Sequence, residues 1–171
     1  METLWAPWRM AYIDKSGAAP DAPETPGCVF CAAAAAPPAA DRRNLVLRRA
    51  PDVFVILNRY PYNSGHLMIV PYRHLADVTA LTPAERDGLM VALQAMVALL
   101  TAVYHPQGFN AGMNLGTAAG AGIADHLHLH LVPRWAGDTN FMPVVGETKV
   151  LPESLEQTYD RLAAALAAGS A

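Results

Sequence analysis

From residue 44 onward the apolar positions fall into short runs separated by turn residues, which predicts three strands at about 44–49, 53–58 and 66–71. Pro51-Asp52 separates the first two, and Pro61-Tyr62-Asn63-Ser64-Gly65 separates the second from the third. Proline fixes φ and glycine accepts positive φ, so both connections have turn chemistry, and neither leaves room for a crossover helix. The three strands therefore read as an antiparallel meander. Thr82-Pro83-Ala84-Glu85 is a helix start, with Thr82 as N-cap, Pro83 at the first helical position and Glu85 closing a capping box. Leu89, Leu93, Met96, Val97, Leu100, Val103 and Tyr104 follow at helical spacing, and Met90, Val91 and Leu99 make much of the remaining circumference apolar. A helix apolar nearly all round has two neighbours, one of which can be a second subunit. Pro106 and Gly108 stop it. Phe109 to Leu115 predicts a fourth strand, and after a long loop Pro152-Glu153-Ser154-Leu155 opens a final helix with Leu155, Tyr159, Leu162 and Leu166 on one stripe. The fold class is α+β: an antiparallel sheet of about five strands with a long helix and a C-terminal helix packed on it.

The fifth strand lies in Asp125-His126-Leu127-His128-Leu129-His130-Leu131-Val132-Pro133-Arg134-Trp135. In a strand His126, His128 and His130 share one face and the three leucines the other, with neighbouring histidines about 6.5–7 Å apart. Helical geometry would scatter the rings. Pro133 is expected to end the strand, since proline lacks a ladder donor. Imidazole can be neutral or charged near pH 7, so such a row can hold a nucleophile beside a cationic phosphate contact. The plain alternative is a half-polar strand or a surface metal patch.

The first 40 residues read differently. Residues 1–27 combine the aromatics Trp5, Trp8 and Tyr12 with a Pro-, Ala- and Gly-rich run, as expected of an arm and a linker. Cys28-Val29-Phe30-Cys31 follows, then an alanine tract that forms a helical turn before Pro37-Pro38 and serves as a solvent-facing connection. The expected division is an N-terminal arm over 1–40 and a main domain over 41–171.

With 171 residues, 53% of them hydrophobic, the chain can bury one core. A net charge of −3 argues against a nucleic-acid protein that relies on bulk positive charge, so any phosphate binding must be local. Met1 to Leu4 lacks a signal-peptide pattern, and the most apolar long segment, Leu89 to Tyr104, is interrupted by Gln94. A cytoplasmic chain away from membranes is expected, where a C-x-x-C pair reads as a metal or redox pair rather than a structural disulfide.

His126-Leu-His128-Leu-His130-Leu-Val resembles the signature of the histidine triad family of nucleotidyl hydrolases and transferases. Asn58, the turn Pro61 to His66 and the glycine loop Asn114 to Gly122 also sit where that family has them, and the resemblance covers roughly residues 44–145. Leu4 to Tyr12 and Arg134 to Phe141 resemble a narrower branch that includes bacterial diadenosine tetraphosphate phosphorylases. The resemblance implies a homodimer whose two sheets join edge to edge, helix 83–104 helping the contact. It implies transfer of a nucleotidyl group from a dinucleoside polyphosphate, with a purine nucleotide bound and no metal in the chemistry.

Residue by residue, the resemblance makes His128 the nucleophile and His130 a contact to the transferred phosphate, which as imidazolium would stabilise charge on the equatorial oxygens. Asn114, Gly116 and Thr117 become phosphate or catalytic-loop contacts, Gly122 belongs to the same nucleotide-binding loop, and Asn58 binds ribose hydroxyls. The alternative for Asn58 is a turn-initiating residue before Arg59-Tyr60-Pro61. His66 becomes a supporting residue behind the triad, or a satisfied core histidine. Hydrolases of the fragile histidine triad type carry a glutamine four residues before the first histidine; Gly122 stands there in this chain. A side chain that could orient water is missing, which favours phosphate over water as acceptor.

Zinc-bearing members of the family take two ligands from such a cysteine pair, one from a histidine shortly after the third strand and one from the first triad histidine. The corresponding residues are Cys28, Cys31, His74 and His126, a structural rather than catalytic zinc set. Arg134 reads as a phosphate partner or a structural ion pair. Trp135 and Phe141 read as base covers or dimer contacts. Two readings of other classes stay open: a low-turnover nucleotide-binding or scaffold protein, and a thiol redox or zinc-storage protein.

Overall fold

The computed structural model describes residues 27–139, 141–146 and 150–169. Trp5, Trp8 and Tyr12 lie outside the described residues. Five strands form one antiparallel sheet: β1 (Val46–Arg49), β2 (Val53–Leu57), β3 (Leu67–Pro71), β4 (Gly108–Gly112) and β5 (Leu129–Arg134), in the order β1-β2-β3-β5-β4. The first three strands make the expected meander. The last two reverse, so the histidine strand lies between β3 and β4, and among the described residues β1 and β4 are the edges.

The predicted elements shorten. Residues 41–44 form a helical turn (α2, Asp41–Asn44) that Leu45 closes in the left-handed conformation, so β1 begins at Val46. β4 stops at Gly112 instead of Leu115. Pro133 does not end β5, which continues to Arg134 with Pro133 opposite Phe109. Arg134 O accepts from Gln107 N on the β4 side. Main-chain groups alternate sides along a strand, so Pro133 turns its donorless nitrogen the other way, where β3 has already ended. A proline costs the ladder nothing there.

The long helix (α3, Pro83–Tyr104) has its capping box: Thr82 Oγ1 accepts from Glu85 N at 3.2 Å and Glu85 Oε2 from Thr82 N at 2.8 Å. Arg73 clamps the same carboxylate with two bonds, at 2.9 and 2.7 Å. By length and composition α3 could cross a bilayer, yet Leu89, Ala92, Met96, Leu99 and Leu100 are buried against the protein. Leu99 therefore belongs to the core face. Met90 and Val91 stay open, at 54% and 63% exposed. The final helix (α4, Leu155–Ala167) starts on a second capping box, Ser154 with Gln157, and buries Thr158 and Leu162.

The alanine tract departs most from expectation. Val29–Ala35 forms a helix, α1, that inserts Phe30 (1% exposed) and Ala33 (6%) into the core shared with β2, β3 and α3. Arg49 of β1 fixes its C-terminal end by donating to the carbonyls of Ala33, Ala34 and Ala36, and pairs with Asp41 at 2.7 Å. Helix C-termini present unpaired carbonyls, and a guanidinium fork is suited to them. Within the tract Ala33 is thus buried, while Ala32, Ala35 and Pro37 to Ala39 stay exposed as expected.

Candidate active site and metal centre

β5 begins at Leu129, so His126 and His128 precede the ladder instead of standing on it. Leu127 N donates to Leu75 O at 2.7 Å, which holds this run beside the segment following β3 without regular strand pairing. The histidines are not an open row of equals. His126 turns towards Cys28, Cys31 and His74, while the rings of His128 and His130 pair edge to face, 4.8 Å between centroids. Phe30 packs against both His126 (5.4 Å) and His128 (5.1 Å). His128 is only 6% exposed. Opposite His130 in the ladder stands Gly112, where a Cβ would meet nothing within 4 Å, so open space adjoins that ring.

Each ring has its tautomer fixed by a partner that can act in only one way. His128 Nδ1 lies 2.8 Å from the carbonyl oxygen of His126, so it carries the proton and donates, leaving the lone pair on Nε2. His126 Nε2 donates to Pro71 O at 2.9 Å, leaving the lone pair on Nδ1, the atom facing the cysteines. Tyr62 N donates to His66 Nδ1 at 3.1 Å, so His66 is protonated on Nε2, which donates to His130 Nδ1 at 2.9 Å. His130 therefore carries its proton on Nε2. Burial lowers the pKa of His128, and burial followed by the charge of His128 lowers that of His130 to about 4. The imidazolium expected at His130 is thus replaced by a neutral N–H donor at neutral pH.

His66 is fully buried and hydrogen-bonded at both ring nitrogens, to Tyr62 N and His130 Nδ1, as a satisfied core histidine is. Asn58 adopts the turn geometry: Oδ1 accepts from Tyr60 N at 2.9 Å, and Nδ2 lies 3.3 Å from His66 Nδ1. Asn114 donates across its own loop to Gly120 O at 3.3 Å. Gly116 and Gly120 have φ of +81° and +85° around a short turn at Thr117–Ala119, and this loop, with Gly122, is largely exposed. Arg134 is an ion-pair residue: Nε and Nη2 grip Asp138 at 2.6 and 2.9 Å, and Nη1 donates to Asn110. Trp135 Nε1 donates to Tyr104 O, and Phe141 is 69% exposed. The sequence reading did not single out Tyr62, whose half-exposed ring lies 4.5 Å from His66 and stacks on His130 at 5.8 Å. An aromatic inside a glycine-bearing turn was its only signal.

The second cluster comes together across three segments. Cys28 Sγ lies 3.2 Å from His126 Nδ1, Cys31 Sγ lies 3.3 Å from His74 Nδ1 and 3.5 Å from His126 Nδ1, and the two Nδ1 atoms are 3.2 Å apart. All four donor atoms lie within 4.8 Å of one another. A tetrahedral zinc with usual Zn–N and Zn–S bonds has ligand–ligand edges of about 3.3–3.8 Å. The donor set and its spacing fit such an ion, and the Pro71 carbonyl behind His126 is the outer partner a metal-binding histidine requires. Burial, then Cys28, pushes the Cys31 thiol up, so keeping it as thiolate takes a bound cation.

An antiparallel sheet with this histidine pair is the architecture of the histidine triad proteins. The HIT domain family matches residues 41–137, and the chain belongs to that family. It is an enzyme of the family's nucleotidyltransferase or hydrolase class. The chain is 41% identical over 165 residues to the AP-4-A phosphorylase of Mycobacterium tuberculosis, covering 95% of this chain and 83% of the relative. It is 25% identical to the asymmetrical bis(5'-nucleosyl)-tetraphosphatase of Schizosaccharomyces pombe, over 67% of this chain and 59% of that protein. Among solved structures, a zinc-bound histidine triad family protein from Mycobacterium smegmatis superposes with a TM-score of 0.65 at 28% identity, over 83% of this chain and 94% of that one.

Proposed function

We propose that this enzyme transfers a nucleotidyl group, adenylyl first of all, from dinucleoside polyphosphates such as diadenosine tetraphosphate to inorganic phosphate. The observation that carries the reading is the His128–His130 pair, a lone pair on one Nε2 beside a proton on the other. His128 Nε2 attacks the α-phosphorus, the bond from that phosphorus to its bridging oxygen breaks, and ATP departs with that oxygen. The His126 carbonyl, already bonded to Nδ1–H, stabilises the ring as it becomes positive. His130 Nε2–H donates to a non-bridging oxygen as charge gathers there. A phosphate oxygen then attacks the same phosphorus, restores the imidazole and yields ADP. The chain's own groups supply this chemistry, with Asn114, Gly116, Thr117 and Gly122 as phosphate-side contacts and Asn58 as ribose contact after its carboxamide turns outward.

The similarity to a phosphorylase over nearly the whole chain, together with Gly122 where a water-orienting glutamine would stand, supports phosphate as acceptor. Hydrolysis is the second reading, supported by the similarity to a tetraphosphatase. Incubation with diadenosine tetraphosphate, with and without phosphate, separates them. ADP plus ATP, formed only with phosphate, is the expected result; AMP plus ATP without it makes water the acceptor and overturns the phosphorylase reading.

Zinc held by Cys28, Cys31, His74 and His126 is the metal proposed for the second cluster. It supplies a crosslink between α1, the segment after β3 and the approach to β5. A homodimer is proposed too, supported by the open β4 edge and exposed Met90 and Val91, and light scattering on the purified chain tests it.

A further inference from the structure

Asn63 sits in the turn between β2 and β3, 8% exposed, and uses both hydrogens of its carboxamide. Nδ2 donates to Pro133 O at 3.1 Å and to Asp138 Oδ2 at 2.8 Å. Asp138 is itself pinned by Arg134 and by Trp135 N at 3.2 Å. The turn does not require this anchor for its shape, because Pro61 and Gly65 (φ +75°) already provide it. What the anchored turn grips is His66. His66 N donates to Asn63 O at 3.1 Å, and Tyr62 N donates to the His66 ring. The anchor point is Pro133, three residues beyond His130 on the same strand, and His130 is the residue to which His66 Nε2 donates. The contacts close a ring from His130 along β5 to Pro133, through Asn63 to His66, and back to His130.

We infer that Asn63, backed by Asp138, is a positioning residue that holds His66 in its Nε2–H tautomer and so keeps the His130 Nε2–H aimed outward. That His130 meets a substrate phosphate rests on the function proposed above; the tautomer it holds does not. Asn63 touches no reacting atom in this account. Pro133 O and the carboxylate of Asp138 are both acceptors, which only a group with two hydrogens can bridge, so asparagine fits where aspartate, serine or alanine does not.

The test uses the full chain, 15N-labelled, with long-range imidazole 1H–15N spectra at pH 7. Parent protein should show His66 and His130 protonated on Nε2. Asn63→Ala should turn His130 into a mixture of tautomers and lower kcat on the order of 10- to 100-fold, with KM little changed, as a displaced contact group does. Asp138→Asn, made in the parent protein, keeps an acceptor for Asn63 and should retain the single tautomer and near-parent kcat. If Asn63→Ala does not fold, Asp138→Ala, which retains the bond to Pro133, should still broaden the His130 signals. A folded Asn63→Ala or Asp138→Ala protein with an unchanged His130 tautomer overturns the inference, as does a loss confined to KM. A parent protein without nucleotidyl transfer would refute the proposed function and leave the spectra to judge the positioning.

Discussion

His128 Nδ1 donates to the carbonyl oxygen of His126, two residues earlier on the same chain, at 2.8 Å. The side chain of that same His126 presents Nδ1 to the cysteine pair. One residue thus orients His128 through its main chain and faces the Cys28, Cys31 and His74 cluster with its ring. Replacing His128, the proposed nucleophile, should separate binding from chemistry. His128→Asn is expected to lose turnover of diadenosine tetraphosphate by about a thousandfold or more, as variants lacking a nucleophile do. Calorimetry should still detect nucleotide binding. Retention of full turnover would remove the covalent scheme.

The pH profile follows from burial. His130, with a pKa of about 4, is neutral through most of the acid range, and His128 is also shifted below its ordinary value. The acid limb of kcat/KM should therefore lie well below pH 6.5, and an acid limb at 6–7 would instead mean an imidazolium works in the site. Stability carries the same sign. Between the unfolded value near 6.5 and the folded value near 4 the unfolded chain binds more protons, so stability falls as pH drops through that window and levels off below it. Urea melts at pH 7, 5.5 and 4 measure it.

Zinc should bind the native fold and not the random chain. At a hundred- to thousandfold excess of free zinc over Kd it should add about 3–4 kcal/mol to the folded state. Cys31→Ser should lose the metal, read by elemental analysis, and most of the thermal shift that zinc causes. Equal shifts in the parent and Cys31→Ser proteins would move the ion elsewhere.

Gly65 precedes His66 with φ of +75°, and a Cβ there would approach Leu100 Cδ2 at 3.1 Å and Pro133 Cγ at 3.3 Å. Gly65→Ala should cost about 1–3 kcal/mol by urea denaturation, from the left-handed backbone and the crowded core together. An unchanged midpoint would show that the turn relaxes freely.

Local patterns along the chain set the strands of the meander, the capping box at Thr82, the alternation of histidine with leucine and the Cys28-x-x-Cys31 pair, while His74 and His126 joined that pair only through the family resemblance. Each is a local signal, whether a side-chain period of two, an N-cap three residues from its glutamate, or a residue type at fixed spacing. Tertiary structure decided the rest. Pro133 stays within β5 because its missing donor faces the end of β3, a fact about a neighbouring strand. The alanine tract enters the core because Phe30 finds His126 and His128, and because Arg49 caps a helix lying far from it along the chain. The rings divide into a candidate metal ligand, a bare lone pair and an N–H donor because the Pro71 carbonyl, the His126 carbonyl and His66 each meet one of them. Hydrogen-bond direction depends on which partner folding brings opposite, and spacing along the chain carries no record of that.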